Sequence, residues 1–130
     1  MRLSGLTLAY WCVLVAALLP YLAAYIAKIG AFRLRDNQAP REWMGRQAGW
    51  RARALGAQAN SFEGLPLFIG AVVIAHQLGA AQASLDRLAA AYVVLRVIYI
   101  LLYIRGFATA RSAVWTLAFA VNIAILFAGR

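Results

Sequence analysis

The stretch Leu6–Ile29 runs for 24 residues with no charged side chain before Lys28. At about 1.5 Å of rise per residue, a helix of that length crosses a hydrocarbon layer of about 30 Å. This restricts the fold more than any other feature. The apolar part is too long for the core of a secretory signal peptide, and Trp11, Tyr21 and Tyr25 suit membrane-interface and packing positions. Leu6–Ile29 therefore reads as a first transmembrane helix. Pro20, near its middle, predicts a kink, tolerated where neighbouring helices satisfy the freed carbonyl.

Composition agrees. With 65% hydrophobic residues, 13% charged residues and a mean hydropathy of +0.73, the chain has too little polar surface for a water-soluble domain. The formal charge of +9 does not indicate nucleic acid, because the basic residues gather between apolar spans instead of interleaving with aromatics on one face. Anionic lipid and an anionic ligand are the better partners. Cys12, the single cysteine, excludes an intrachain disulfide and a cysteine-based metal site, and its setting AYWCVLV marks it as a packing residue.

Beyond the first span, Gly30–Trp50 is a polar loop with Pro40 and the arginines 33, 35, 41 and 46. Its later part should turn helical, since residues 46–60 lack proline and are rich in Arg, Ala and Gln. The second helix, residues 47–78, would then project beyond the bilayer. It contains Pro66, a second expected kink, and Gly56, Gly64 and Gly70 as sites of close helix contact. His76, towards its far end, reads as an interfacial histidine without partners. Gly79–Arg87 is a short turn, with Ser84 or Asp86 as N-cap of a third helix over 86–105. After a tight connection, a fourth helix covers 110–128, with Arg111 at its entrance and Trp115 one turn on. Asn122, in an apolar stretch, is expected to hydrogen-bond to another helix. The expected fold class is all-α integral membrane, a four-transmembrane-helix bundle forming one domain over 1–130, with no internal repeat.

Two groups of residues carry chemistry. Asn60 and Glu63 lie three apart and share a helix face, with Arg53 near it seven residues earlier. A carboxylate at the mouth of a membrane helix marks a functional site unless it is simply solvated. In the third helix, Tyr92, Arg96, Tyr99 and Tyr103 recur at spacings of four, three and four on one face. Such a tyrosine stripe is often core, but Arg96 lies more than two turns from Arg105 and must snorkel, pair or bind an anion. Glu63 is the obvious intrachain partner. The first and third connections and their flanks hold nine cationic residues, against Arg2, Arg87 and Arg130 opposite. By the positive-inside rule both termini face away from the cytoplasm. Arg33, Arg53, Asn60, Glu63, Arg96, Tyr99, Tyr103 and Arg111 then line one basic, tyrosine-rich cavity on the cytoplasmic side, for an anionic ligand.

These residues resemble a known family, the membrane-associated proteins in eicosanoid and glutathione metabolism (MAPEG), which includes microsomal glutathione transferases, leukotriene C4 synthase and microsomal prostaglandin E synthase. AQANSFEGLPLF in the second helix is similar to the family's signature, and GAFRLR, RVIYILLY and RSAVWTLA fall where its pattern expects them. The resemblance implies a four-helix protomer assembled as a homotrimer, with glutathione between subunits as co-substrate and no metal. Arg33, Asn60, Glu63, Arg96, Tyr99 and Tyr103 match positions that hold the tripeptide, and Arg111 matches the arginine at its thiol. The family usually has an arginine four residues before the Asn, where this chain has Gly56; Arg53, one turn earlier, is the substitute.

Glutathione offers two carboxylates to arginines, an ammonium to Glu63, and a thiol that must ionise to react. The reading that follows is a glutathione transferase or peroxidase acting on a lipophilic electrophile or hydroperoxide, a multi-pass protein of the bacterial inner membrane. A non-catalytic ligand-binding or scaffold protein of the same fold is the second reading. A small proton-coupled transporter built on Glu63 is the third, disfavoured because the surrounding arginines hold that carboxylate ionised.

Overall fold

The computed structural model describes the backbone of residues 2–3 and the whole of residues 5–129. Four helices are long and apolar enough to cross a membrane: α1 (Leu8–Lys28), α3 (Gly49–Gln77), α4 (Gln82–Arg105) and α5 (Ala108–Leu126). Before α1, two short strands, β1 (Arg2–Leu3) and β2 (Leu6–Thr7), pair antiparallel. The polar loop is more ordered than its composition predicts. It forms a 3₁₀ segment at Leu34–Gln38 and a short helix α2 (Pro40–Gly45) with Pro40 at its first turn, where a missing N–H costs nothing.

The central pair is α3 and α4, with α1 packed against both and α5 against both. Small residues explain the close approach. Ala9, Ala16, Ala23 and Ala27 of α1 and Ala54, Ala57, Ala71 and Ala75 of α3 are all buried, leaving backbones free to come together where no hydrophobic effect drives helix association. Cys12 lies in the same core cluster. Large apolar side chains such as Leu18, Leu22, Val94, Leu101 and Leu117 point outwards, as they must where the surrounding solvent is lipid. With 29 residues, α3 is about 44 Å long. That exceeds a hydrocarbon layer of about 30 Å, and the charged side chains Arg51 and Arg53 lie in its first turns. Both α1 and α3 continue through their prolines.

Helix ends leave carbonyls without intrahelical donors, and two arginines of α3 supply them. Arg51 donates from Nη1 to the carbonyls of Ala27 and Ile29 at the end of α1, 2.8 and 2.6 Å away. Arg53 donates from Nε to the Ile104 carbonyl at the end of α4, at 2.9 Å. Gly106 closes α4 in the left-handed region at φ +85°, a conformation that favours glycine.

At the opposite end of the bundle the structure corrects two expectations. His76 is not without partners: it stacks on Tyr10 with ring centroids 3.9 Å apart, its Nδ1 lies 2.8 Å from the Val72 carbonyl, and its Nε2 lies 2.8 Å from the Thr7 hydroxyl. Neither Ser84 nor Asp86 caps the third helix, whose N-cap is Ala81. Asp86 instead is buried and accepts from the backbone N–H of Ala9, 3.0 Å away, in the first turn of α1. Gln82 also donates to it, at 2.7 Å. A carboxylate from one helix thus satisfies an orphan donor of another, where it also meets the positive end of the dipole. Asp86→Ala should lower stability by about 1–3 kcal/mol. A thermal midpoint in detergent equal to that of the unmodified protein would show that the contact contributes nothing.

Candidate functional site: a polar cleft between α3, α4 and α5

The residues predicted from α3 and α4 come together across the helix pair. Tyr92, Arg96 and Tyr99 are buried, each about 4% exposed. The Arg96 guanidinium donates from Nη2 to Asn60 Oδ1 at 2.8 Å and reaches Ser61 Oγ at 3.5 Å. It also lies 4.2 Å over the Tyr99 ring. The expected Arg96–Glu63 ion pair is absent; Asn60, one helical turn before Glu63, takes the guanidinium instead. Glu63 is exposed on its own protomer and has no ion pair among the described residues. The site thus holds a cation and a carboxylate that do not neutralise each other.

Arg111 enters from the first turn of α5, its guanidinium 4.3 Å over the Tyr103 ring. Tyr103 meets Tyr99 edge to face at 5.7 Å. A tyrosine face attracts a cation without neutralising it, so the stack aims Arg111 and leaves its charge available. The space that Tyr103 occupies explains Gly56. A Cβ at position 56 would lie 2.7 Å from Tyr103 Cζ and closer still to its hydroxyl oxygen. Gly64 is less tightly constrained, since a Cβ there would stand 3.2 Å from the Tyr92 hydroxyl and require only a small shift. Gly70 meets nothing.

Two adjoining cavities result. One, of about 470 Å³, is lined by Gly56, Asn60, Glu63, Tyr99, Tyr103, Arg111 and Trp115, among others. The second, of about 220 Å³, shares Asn60, Glu63 and Trp115 with it and continues past Tyr92 and Arg96 to Leu67, Phe119 and Asn122. A charged mouth therefore leads into a largely apolar interior. Arg33 and Arg53 line neither cavity. Arg33 is exposed in the loop, where its backbone N–H donates to Asp36 Oδ2 at 2.9 Å, and Arg53 is held at the end of α4. Arg53 therefore does not fill the place left by Gly56, because Tyr103 occupies it. Among the described residues no group of His, Cys, Asp and Glu could hold a metal ion.

The sequence reading missed Ser61 as a contact of Arg96, and Trp115, Phe119 and Asn122 as lining residues. The last three had a signal: with Arg111 they recur at spacings of four, four and three, one stripe of a helix. Ser61 had none, since it lies off the Asn60–Glu63 face and meets Arg96 only through the crossing of α3 and α4.

Four apolar helices define a multi-pass integral membrane protein, and three of them, α3, α4 and α5, enclose a cleft with two arginines, a carboxylate and three tyrosines. The MAPEG family model matches residues 8–129, and the chain belongs to that family. Neither the curated proteins nor the solved structures contain a match.

Proposed function

We propose that the protein binds glutathione in the cleft formed by the two adjoining cavities and presents its thiolate to a lipophilic electrophile or hydroperoxide entering from the bilayer. The observation that carries this reading is the charge pattern of the cleft: two guanidiniums, Arg96 and Arg111, that have no carboxylate partner among the described residues, and a carboxylate, Glu63, that has no cation among them. A ligand with two carboxylates, an ammonium and a thiol complements that set, and the family is associated with glutathione use. Asn60, Glu63, Arg96, Tyr99 and Tyr103 bind and orient the tripeptide, and Arg111 stabilises the thiolate. Arg33, exposed and remote from its own cleft, is assigned to the cleft of a neighbouring protomer. Arg53 retains its structural contact with α4.

The assembly is proposed to be a homotrimer. Glu63 is exposed at membrane depth in the isolated protomer, which is costly unless a second chain covers it. Titrating glutathione calorimetrically into protein whose mass has first been measured in mild detergent tests both points. A trimer mass with saturable heat is expected. Monomers or dimers alone overturn the assembly, and a flat trace at millimolar glutathione overturns the function.

The nine cationic residues at the site end support an orientation with the cleft at the cytoplasmic side. A cysteine introduced at Ser84, in the opposite connection, should react with a membrane-impermeant maleimide from outside intact cells. Labelling only after lysis reverses the orientation.

A non-catalytic binding protein of the same fold is the second reading. One observation favours it: Gly56 and the engagement of Arg53 by the Ile104 carbonyl leave one cation fewer for a dianionic ligand. Saturable glutathione binding without conjugation of any electrophile would decide for it.

A further inference from the structure

We infer that a small cavity at the turn between α4 and α5 binds a phosphate group, held between Arg53 of α3 and Arg111 of α5. The inference goes beyond the proposed function and stands whether or not glutathione binds.

The cavity, of about 70 Å³, is lined by Arg53, Tyr103, Gly106, Phe107, Ala108 and Arg111, among others. It shares Tyr103 and Arg111 with the larger cavity of the cleft. Its wall differs in charge from the cleft. Both cavities of the cleft include Glu63, whereas this one has two cations and no carboxylate. Neither arginine has an ion pair among the described residues. Arg53 uses Nε on the Ile104 carbonyl, and its two Nη groups make no hydrogen bond among the described residues. The Arg111 guanidinium has its contact with the Tyr103 ring. The Arg53 guanidinium lies against the turn itself: Nε and Cζ are 3.5 and 3.6 Å from where a Cβ of Gly106 would stand. Two guanidiniums on one small cavity repel each other, and an anion from outside the chain turns that repulsion into two attractions.

Size and place select the anion. Pockets for drug-sized molecules hold about 300–1,000 Å³, so this one takes a single small group. The oxygens of a phosphate are arranged tetrahedrally and can meet guanidiniums arriving from two different helices. A carboxylate has two oxygens in one plane and pairs with one guanidinium fork. The turn also stands where phosphate is abundant. It joins two membrane-spanning helices, Arg105 before it is exposed, and Phe107 within it is 57% exposed; a cation and an aromatic ring side by side suit the headgroup layer. The phosphate comes from a lipid headgroup or from solution, and the probes below separate the two sources.

The test titrates the full-length protein calorimetrically, in a neutral detergent and without glutathione. The probes are a short-chain phosphatidic acid, the diacylglycerol that lacks its phosphate, and inorganic phosphate. The phosphatidic acid should saturate and bind at least about tenfold more tightly than the diacylglycerol. Arg53→Gln keeps an amide donor for the Ile104 carbonyl and should weaken the phosphatidic acid about tenfold. Ala108→Asp puts a carboxylate into the cavity at the first position of α5, where it suits the helix dipole; it should weaken binding at least as much without lowering the thermal midpoint. Arg41→Gln removes an exposed charge from the loop at the same end and should change binding by less than about twofold. Inorganic phosphate that binds as tightly as the phosphatidic acid, with the same response to the variants, assigns the site to soluble phosphate; a clear preference for the lipid assigns it to headgroups. Flat titrations with all three probes overturn the inference, as does equal binding of the diacylglycerol and the phosphatidic acid, because no phosphate is then read. Equal losses in Arg41→Gln and Arg53→Gln overturn it too, since general positive charge then holds the lipid, and binding that survives Ala108→Asp places the phosphate elsewhere. With no glutathione present, failure here and failure of the glutathione titration remain separate results.

Discussion

Arg111→Ala should abolish the thiolate signal of bound glutathione while leaving its affinity within several-fold of the unmodified protein. Glutathione's carboxylates and ammonium contact other residues in the proposed complex, so binding survives; the thiolate loses the one cation aimed at it. A free thiol ionises near pH 8.5, and lowering that by about two units requires about 2.7 kcal/mol of preference for the charged form. One close guanidinium in a partly dry cleft supplies that much. At neutral pH the bound thiol should be largely ionised with Arg111 and only a few per cent ionised without it. Conjugation should then fall by about 30-fold or more, with further loss if the arginine also stabilises the transition state.

The sign of the pH dependence separates this from a structural defect. A pKa lowered to about 6.5 leaves half the thiol ionised at that pH, so the unmodified protein should approach its plateau about one pH unit higher. The variant should keep gaining activity past about pH 8.5, where its thiol is half ionised, and recover part of its deficit. Thiolate absorbance at about 240 nm follows the same two curves. Unchanged absorbance and turnover in Arg111→Ala would leave the residue as a positive-inside anchor that happens to stack on Tyr103.

Arg96→Met is expected to move stability and binding in opposite directions. Arg96 is buried, donates to Asn60 and Ser61, and has no carboxylate partner among the described residues. Keeping such a charge at membrane depth carries a desolvation cost that two hydrogen bonds and a tyrosine face only partly offset. Methionine fills a similar volume without the charge, and the ligand-free protein should gain about 1–2 kcal/mol. Glutathione affinity should drop about 100-fold, because a charge-assisted contact to a carboxylate is lost from a site of low dielectric. A variant that loses thermal stability along with affinity would mark Arg96 as part of the packing, with the ligand contact incidental.

Much of the site was legible because helical periodicity ties sequence spacing to a shared face. Asn60 and Glu63, and the series Tyr92, Arg96, Tyr99 and Tyr103, were on common faces before any tertiary contact was known. Which arginine met which partner was not legible, since it depends on how two helices cross. Arg96 chose Asn60 over Glu63 by a matter of one helical turn along α3. Arg53 could not be separated from the site by spacing, because its true partner, the end of α4, lies 51 residues away. Gly56 looked like a missing arginine; only the position of Tyr103 shows it to be the residue that lets a ring pass.

Hydropathy determined the number of spans, the membrane as solvent and the end of the bundle where positive charge gathers. These are properties of single segments against lipid or water, additive along the chain. The tertiary structure alone decided which polar groups are satisfied. Asp86 accepts from the first turn of a helix it does not belong to, His76 gained Tyr10, Thr7, Val72 and Gln82 as partners, and Asn122 has no hydrogen bond among the described residues. A hydrogen bond requires donor and acceptor within about 3 Å, and in this bundle that distance is set by helix crossings built on buried alanines, which no single segment specifies.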